Sequence, residues 1–400
     1  MTKKILHIVN YYQDGMGYQE NWLAAAQAKQ GHQVKIVTSD YYYPFPNYEA
    51  TVKSVLGIRY VGEKTYFENG VEIQRLKSKF SSLESANYIY LKLSDAINQF
   101  KPDVIHLHGI MGLNLFPVLF AKKRNKFKLF IDAHEANELL SQSLFSKLSF
   151  VAWKFIYKYA SKYVCAYLPI TLSTEKFLTE KLGISKEKIQ LSPLGVDLNS
   201  MSFDADIRMN KRKELGVEED SFVIIYAGKQ YPEKKVDLVI EIFNRLKLIA
   251  SSPQKLYLIL LGQPDGAFGD FLNEIGSINN DFIIKLPLQK RDALRDFYCA
   301  SDIGIWPGAP SNTIQEGMAC GLSLVLPNDL LVGHLIEGNG IKSKFDTSKE
   351  INEVVNYLAE LFENRDKLAR TKECSLNISK KYSWERISLD LLSIYRNRNE

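Results

Sequence analysis

"FVIIYAGKQYPEKKVDLVI", residues 222–240, decides the architecture of this chain. Its first six residues are apolar or aromatic, the length and continuity of a strand covered on both faces. Gly228 ends the run, a polar loop carrying three lysines follows, and helical spacing begins near Val236. Apolar run, glycine, loop and helix in that order make the unit of a parallel sheet. After it come LYLILLG (256–262), FIIKLP (282–287), IGIWP (303–307) and LSLVLP (323–328). Before it come KILHIV (4–9), VKIVTS (34–39), VEIQRL (71–76), VIHLHG (104–109), KLFIDAH (128–134), YVCAYLPIT (163–171) and IQLSPLG (189–195). Between the two series lies DLNSMSFDADIRMNKRK (197–213), polar and without period. The expectation is an α/β protein of two Rossmann-like domains, residues 1–197 and 198–382. The amphipathic tail YSWERISLDLLSIYR reads as a closing helix within 383–400 that returns to the first domain.

Composition sets the broad class. Of 400 residues, 24% are charged and 46% hydrophobic, as in ordinary globular proteins. The four cysteines form no CxxC pair, so neither a zinc site nor a disulfide framework is expected, and a cytoplasmic setting follows. The start MTKKILHIVN is too short for a signal peptide, and no apolar run reaches the ~18 residues of a membrane span. The net charge of +5 conceals an asymmetry: residues 1–200 hold 25 Lys and Arg against 17 Asp and Glu. A basic first half suits anionic lipid or a phosphorylated substrate. Without zinc-finger, helix-turn-helix or RNP signatures, nucleic acid is not expected as a partner.

"GAPSNTIQEGMACG" (308–321) holds one acid. Ser311 is placed to cap a helix beginning near Asn312, whose free N–H groups at Asn312 and Thr313 would suit phosphate. Glu316, one turn in, would sit beside that anion, which is unfavourable unless it grips a neutral polyol such as a ribose. Taken alone, the stretch reads as a helix with an exposed glutamate. Lys229 and Lys234 add weight to the ligand reading. They lie beyond the carboxyl end of a strand, where doubly wound folds bind ligands, and two cations there can neutralise a diphosphate. A solvated loop is the other reading.

Together the two stretches resemble the donor-binding domain of family-4 retaining glycosyltransferases of GT-B fold. That family shows G-R-x₄-K after the first strand of its second domain. Here Gly228, Lys229 and Lys234 fill the pattern, with lysine for arginine, which keeps the charge and loses the planar fork. The family also shows E-x₇-E, with E-A-M-A-x-G at its second acid. EGMACG puts Glu316 at the ribose-binding position, while Gly308 stands where the first glutamate is usual. GMGYQENWLAAAQAKQGHQVKIVTSD (15–40), PDVIHLHG (102–109), DAHE (132–135), SPLGVD (192–197, with Leu194 for the frequent asparagine) and DFYCASDIGIWPG (296–308) resemble further landmarks in the right order.

The resemblance implies a GT-B fold, two parallel-sheet domains facing across a cleft, the first taking the acceptor and the second the donor. It implies a metal-independent hexosyl transfer from a nucleotide sugar, a UDP-sugar before a GDP-sugar, with no cofactor. The acceptor would be a glycan or lipid-linked oligosaccharide of cell-surface polysaccharide biosynthesis. Lys229 and Lys234 would counter the leaving diphosphate, and His134 would face the transferred sugar. Gly17, Gly308, Ser311, Asn312, Thr313 and Glu316 complete the donor set, with Gly308 leaving room for a bulky sugar. Two alternatives stay open, a sugar-nucleotide epimerase of the same fold and a weakly catalytic binding subunit lacking the first acid.

Other signals weigh less. GMGYQE after a strand is GxGxxE, without the third glycine of a dinucleotide fingerprint; Gly15 and Gly17 are read as letting backbone approach a ligand. His106 and His108 share one face of a strand, and with His134 they raise the question of a metal. No carboxylate is seen at ligand spacing, so no metal is expected. DAD (204–206) reads as a linker or helix cap. In LFSKLSFVAWKFIYKYASK (144–162), Lys147, Lys154, Lys158 and Lys162 share one helical face. This is either a helix packed on the sheet with a solvated ridge or a surface helix for an anionic membrane, peripheral on the inner face.

Overall fold

The computed structural model describes residues 2–45, 48, 53–79, 90–135, 144–250, 255–262, 266–277 and 282–398. The chain divides into two units, Met1–Leu194 with Trp384–Glu400, and Gly195–Ser383. Among the described residues, no helix is long and apolar enough to cross a membrane.

In the first unit the strands are β1 (Lys4–Ile8), β2 (Gln33–Ser39), β3 (Lys64–Glu68), β4 (Val71–Leu76), β5 (Val104–Leu107), β6 (Lys128–Ala133) and β7 (Ala166–Pro169). They lie in the order β3-β4-β2-β1-β5-β6-β7. All pair in parallel except β3, which runs antiparallel to β4. β3 escapes the apolar-run reading because it is polar and largely exposed. Asn69 and Gly70, both at positive φ, make its two-residue hairpin turn. The expected strand at 189–195 is reduced to a bridge between Ile189 and Tyr167. Gln190 and Ser192 donate to Tyr167 and Pro169 at 2.9 Å, and then Pro193, which has no N–H, ends the pairing. The tail forms a helix, Trp384–Asn397, that docks on this unit. Trp384, Ile387, Leu391 and Tyr395 share a buried cluster with Ile5, Leu23 and Phe130.

The second unit carries β8 (Phe222–Ala227), β9 (Leu256–Leu261), β10 (Ile283–Leu286), β11 (Ile303–Ile305), β12 (Ser323–Pro327) and β13 (Gly340–Ser343). Their order is β10-β9-β8-β11-β12-β13, wholly parallel. All six residues of β8 and of β9 are buried, which is why these runs are continuously apolar. The chain leaves β8 in one direction and resumes at β11 on its other side. The sheet therefore has a topological switch point between β8 and β11, and the first unit has the equivalent between β1 and β5.

The stretch 197–213, read as lacking period, contains a helix, Ala205–Leu215. Asp204 caps it by accepting from Ile207 N at 3.0 Å, which accounts for the DAD string, and Gly216 closes it in the left-handed region. Its inner face is cationic rather than apolar. Arg208 and Arg212 reach the buried Asp302 at 2.7 and 2.9 Å, Lys372 joins at 3.0 Å, and Val223 N donates to the same carboxylate at 2.9 Å. Burial alone would push the Asp302 carboxyl up; Lys372, Arg208 and Arg212 outweigh it and hold it far below the carboxylate range.

Candidate active site

In the second unit the switch point brings together the predicted residues of both loops. Ala227, the last residue of β8, accepts from Trp306 Nε1 and from Thr313 Oγ1, each at 2.9 Å. Thr313 Oγ1 also lies 2.8 Å from Ser311 Oγ. The helix spans Thr313–Ala319 with Asn312 at its cap, one residue later than expected. Ser311 is thus tied to Thr313 and stands just before the cap.

Lys229 is exposed, and its carbonyl accepts from the Tyr226 hydroxyl at 2.6 Å. Lys234 is tethered: its Nζ donates to the carbonyls of Ala309 (3.0 Å) and Pro310 (2.7 Å), while Ala309 N donates to Glu233 O at 2.9 Å. Two of its three N–H donors are occupied by the opposite loop, leaving one for a ligand. Burial, then the nearby Lys229, lowers its pKa, and that like-charge repulsion is what a bound anion would relieve.

Gly308 sits under this tether, and the expectation of spare room there is overturned. A Cβ at 308 would lie 2.3 Å from Glu233 O and 2.5 Å from the carbonyl carbon of Lys234. Backbone, not a vacancy, occupies the place of a side chain. Glu316 is buried and holds Arg291, whose Nε lies 2.8 Å from Oε1. Burial pushes the Glu316 carboxyl up, and Arg291 opposes it. Arg291 opens the helix Arg291–Ala300, and nothing in the local sequence marks it as a partner of a residue 25 positions on.

In the first unit, Gly15 and Gly17 adopt φ of 68° and 69° in the loop after β1. That loop is pinned rather than slack: the buried Arg75 donates to Tyr12 O at 2.9 Å and pairs with Asp14 at 3.1 Å, and Glu68 accepts from Gly15 N at 3.2 Å. Left-handed backbone at two positions is what requires glycine there.

His106 and His108 share a face, but the expectation of no carboxylate nearby fails. Parallel pairing of β5 with β6 brings up Asp132, 2.6 Å from His108 Nδ1, 3.3 Å from His106 Nε2 and 3.7 Å from His134 Nε2. His7, unread in the sequence, is the register partner of His106 and lies 2.9 Å from His108. His7, His106 and His108 offer nitrogens close enough to share a metal ion. Ring geometry argues against it: His106 and His108 stack at 4.4 Å with 2° between planes, so no ion can lie in both ring planes. The nitrogens instead hydrogen-bond to protein partners, Gln27 on His7 at 2.8 Å and the Tyr395 hydroxyl on His106 at 2.6 Å.

Comparison with known proteins agrees with this architecture. Residues 21–200 match Glycosyltransferase Family 4, and residues 207–376 match Glycosyl transferases group 1. An uncharacterized glycosyltransferase of Methanocaldococcus jannaschii is 24% identical over 243 residues, 58% of this chain and 57% of that protein. The lipopolysaccharide 1,2-N-acetylglucosaminetransferase of Salmonella typhimurium is 26% identical over 195 residues, 45% of this chain and 49% of that enzyme. The chain spans about half the length of these curated relatives. Among solved structures, Anabaena HepE in complex with UDP-glucose is similar in fold, with a TM-score of 0.66 at 16% identity over 98% of both chains. With a family 4 domain followed by a group 1 domain on two doubly wound parallel sheets, the chain belongs to the glycosyltransferases of GT-B fold.

Proposed function

We propose that this chain is a retaining glycosyltransferase that moves a hexosyl group from a UDP-sugar to a glycan or lipid-linked acceptor of a cell-surface polysaccharide. The observation that carries it is the pair of loops at the β8–β11 switch point. One presents Lys229 and Lys234 and the other Glu316, an acid already oriented by Arg291. The UDP-glucose complex of HepE and the lipopolysaccharide activity of the Salmonella relative support the choice of donor and pathway.

In this reading Lys229 and the third N–H of Lys234 meet the diphosphate, and the Glu316 carboxylate accepts from ribose hydroxyls. Ser311, Asn312 and Thr313 shape the backbone around the donor. The acceptor hydroxyl attacks the anomeric carbon as the bond to the diphosphate breaks, and its proton passes to the leaving phosphate oxygen. The lysines stabilise the charge that develops there. No metal is assigned a part. Calorimetry with UDP tests the site: Lys229→Ala and Lys234→Ala should each weaken binding roughly ten- to hundredfold, since a charged hydrogen bond is worth about 1.5–3 kcal/mol. Unchanged affinity in both would misplace it. Donor turnover without any acceptor would favour an epimerase instead.

The membrane reading gains from the helix Leu144–Ala160. Trp153, Tyr157 and Ala160 face inward, whereas Leu148, Val151, Phe155 and Tyr159 are 61, 53, 69 and 47% exposed. Phe116 and Phe120 of the helix Leu115–Lys122 are exposed as well, and Phe116 stacks on Trp153. Lys154, Lys158 and Lys162 flank them; the side chain of Lys147 lies outside the described residues. Aromatic groups framed by lysines suit the inner face of an anionic bilayer. Sedimentation with phosphatidylglycerol vesicles should show salt-sensitive binding that falls about tenfold or more in Phe155→Ser/Lys158→Glu. Equal binding by that variant would leave the helix as a packed element with a solvated ridge.

A further inference from the structure

The first unit buries more titratable groups than sugar transfer by the reading above employs. Asp132 is wholly buried, and among the described residues the side chains that pair with it are three histidines. Its Oδ1 accepts from Gly109 N at 2.8 Å, and Oδ2 faces His108 at 2.6 Å and His106 at 3.3 Å. Behind these, His7 lies 2.9 Å from His108, Gln27 2.8 Å from His7 and the Tyr395 hydroxyl 2.6 Å from His106. A buried carboxylate needs a countercharge. His7 and His106 do not supply it, because burial, helped by neighbouring histidines, lowers both and keeps them neutral; His108, with Nδ1 2.6 Å from Oδ2, and His134 are the imidazoles that remain. His134 lies at the rim, with its side chain 43% exposed and its Nε2 3.7 Å from Oδ2. That spacing is a charge contact, longer than a hydrogen bond.

We propose that Asp132 is a positioning residue, braced by His108 and Gly109, that keeps His134 as an imidazolium aimed at an oxygen of the sugar substrate, a hydroxyl or phosphate oxygen. The substrate class rests on the transferase reading above. The charged groups facing His134 are Asp132, Glu135 beside it and Glu20 of the helix Gln19–Lys29, with His106 and His108 on the far side of Asp132. Burial pulls His134 down; Asp132 first, then Glu135 and Glu20, outweigh it and hold it at about 9. At 43% exposure solvent screens part of that attraction. Since the folded value lies above the ordinary ~6.5, the cation is complete at neutral pH and is lost as pH rises through about 9.

The full chain labelled with ¹³C-histidine tests this, the His134 signal being assigned with His134→Gln. In the wild type, His134 should titrate clearly above 7.5. In Asp132→Asn, which keeps shape and the Gly109 bond, the midpoint should fall by about two units. Transfer by Asp132→Asn should then be depressed about tenfold at pH 8 and largely recover at pH 6, whereas a merely structural lesion would depress both. A wild-type midpoint near 6.5, or one unmoved in Asp132→Asn, overturns the proposal, and the wild-type titration decides even if the variant does not fold. Normal titration behaviour with no sugar transfer from any donor would sink the transferase reading while upholding the charge assignment.

Discussion

Gly308→Glu should lower the thermal midpoint by several degrees and weaken UDP binding roughly a hundredfold. The new Cβ would fall 2.3 Å from Glu233 O and 2.7 Å from Lys234 Cα, and both obstacles are backbone. No rotamer relieves that contact; one loop must move. Overpacking of this kind costs about 1–3 kcal/mol, and each kcal/mol is worth about 2–4 °C in a domain of this size. Movement would also part Lys234 from Ala309 and Pro310, so the cation proposed to meet the diphosphate would lose its anchor. Gly308→Ala separates the explanations, because it introduces the same Cβ without an acid. Both variants should be impaired. A rise in transfer rate for Gly308→Glu, with Gly308→Ala unaffected, would mean that the glycine is a lost catalytic acid and that the loops yield freely.

Asp302→Ala should destabilise the second unit by about 3–5 kcal/mol, because removing one partner of a buried ionic cluster leaves the others uncompensated. Three cations, Arg208, Arg212 and Lys372, converge on that carboxylate, and Val223 N loses its acceptor as well. The group lies at the foot of β11, beside the start of β8, so both strands that carry the proposed donor loops depend on it. Its folded pKa is depressed, so its contribution is present above the ordinary carboxylate value of about 3.9 and fades only as pH falls below that. Urea unfolding at pH 7, with hydrogen exchange read at β8 and β11, measures the loss. A change below about 1 kcal/mol would mean that the cluster is hydrated and the cations need no partner.

The sequence by itself determined the class of fold and named the candidate residues of the second unit. Continuous apolar runs such as 222–227 and 256–261 leave little choice but a parallel sheet covered on both faces, because an exposed face would have imposed alternation. Lys229 and Lys234 were legible as candidates because they follow a strand end, a local feature, whereas Ser311, Thr313 and Glu316 were singled out through the resemblance of EGMACG to a family motif, the stretch alone reading as a helix with an exposed glutamate. Tertiary structure alone decided what those residues touch. That Lys234 is tethered to Ala309, that Gly308 is closed off by Glu233, and that Arg291 holds Glu316 all depend on pairs of segments meeting in space. Asp132 shows the same limit more sharply. His108 and Asp132 lie 24 positions apart, and only the register of β5 on β6, set by burial of both strands, makes the carboxylate a neighbour of the histidines. The helix Ala205–Leu215 was invisible for a related reason, since its inner face is built from arginines whose partner, Asp302, arrives from almost a hundred residues further along the chain.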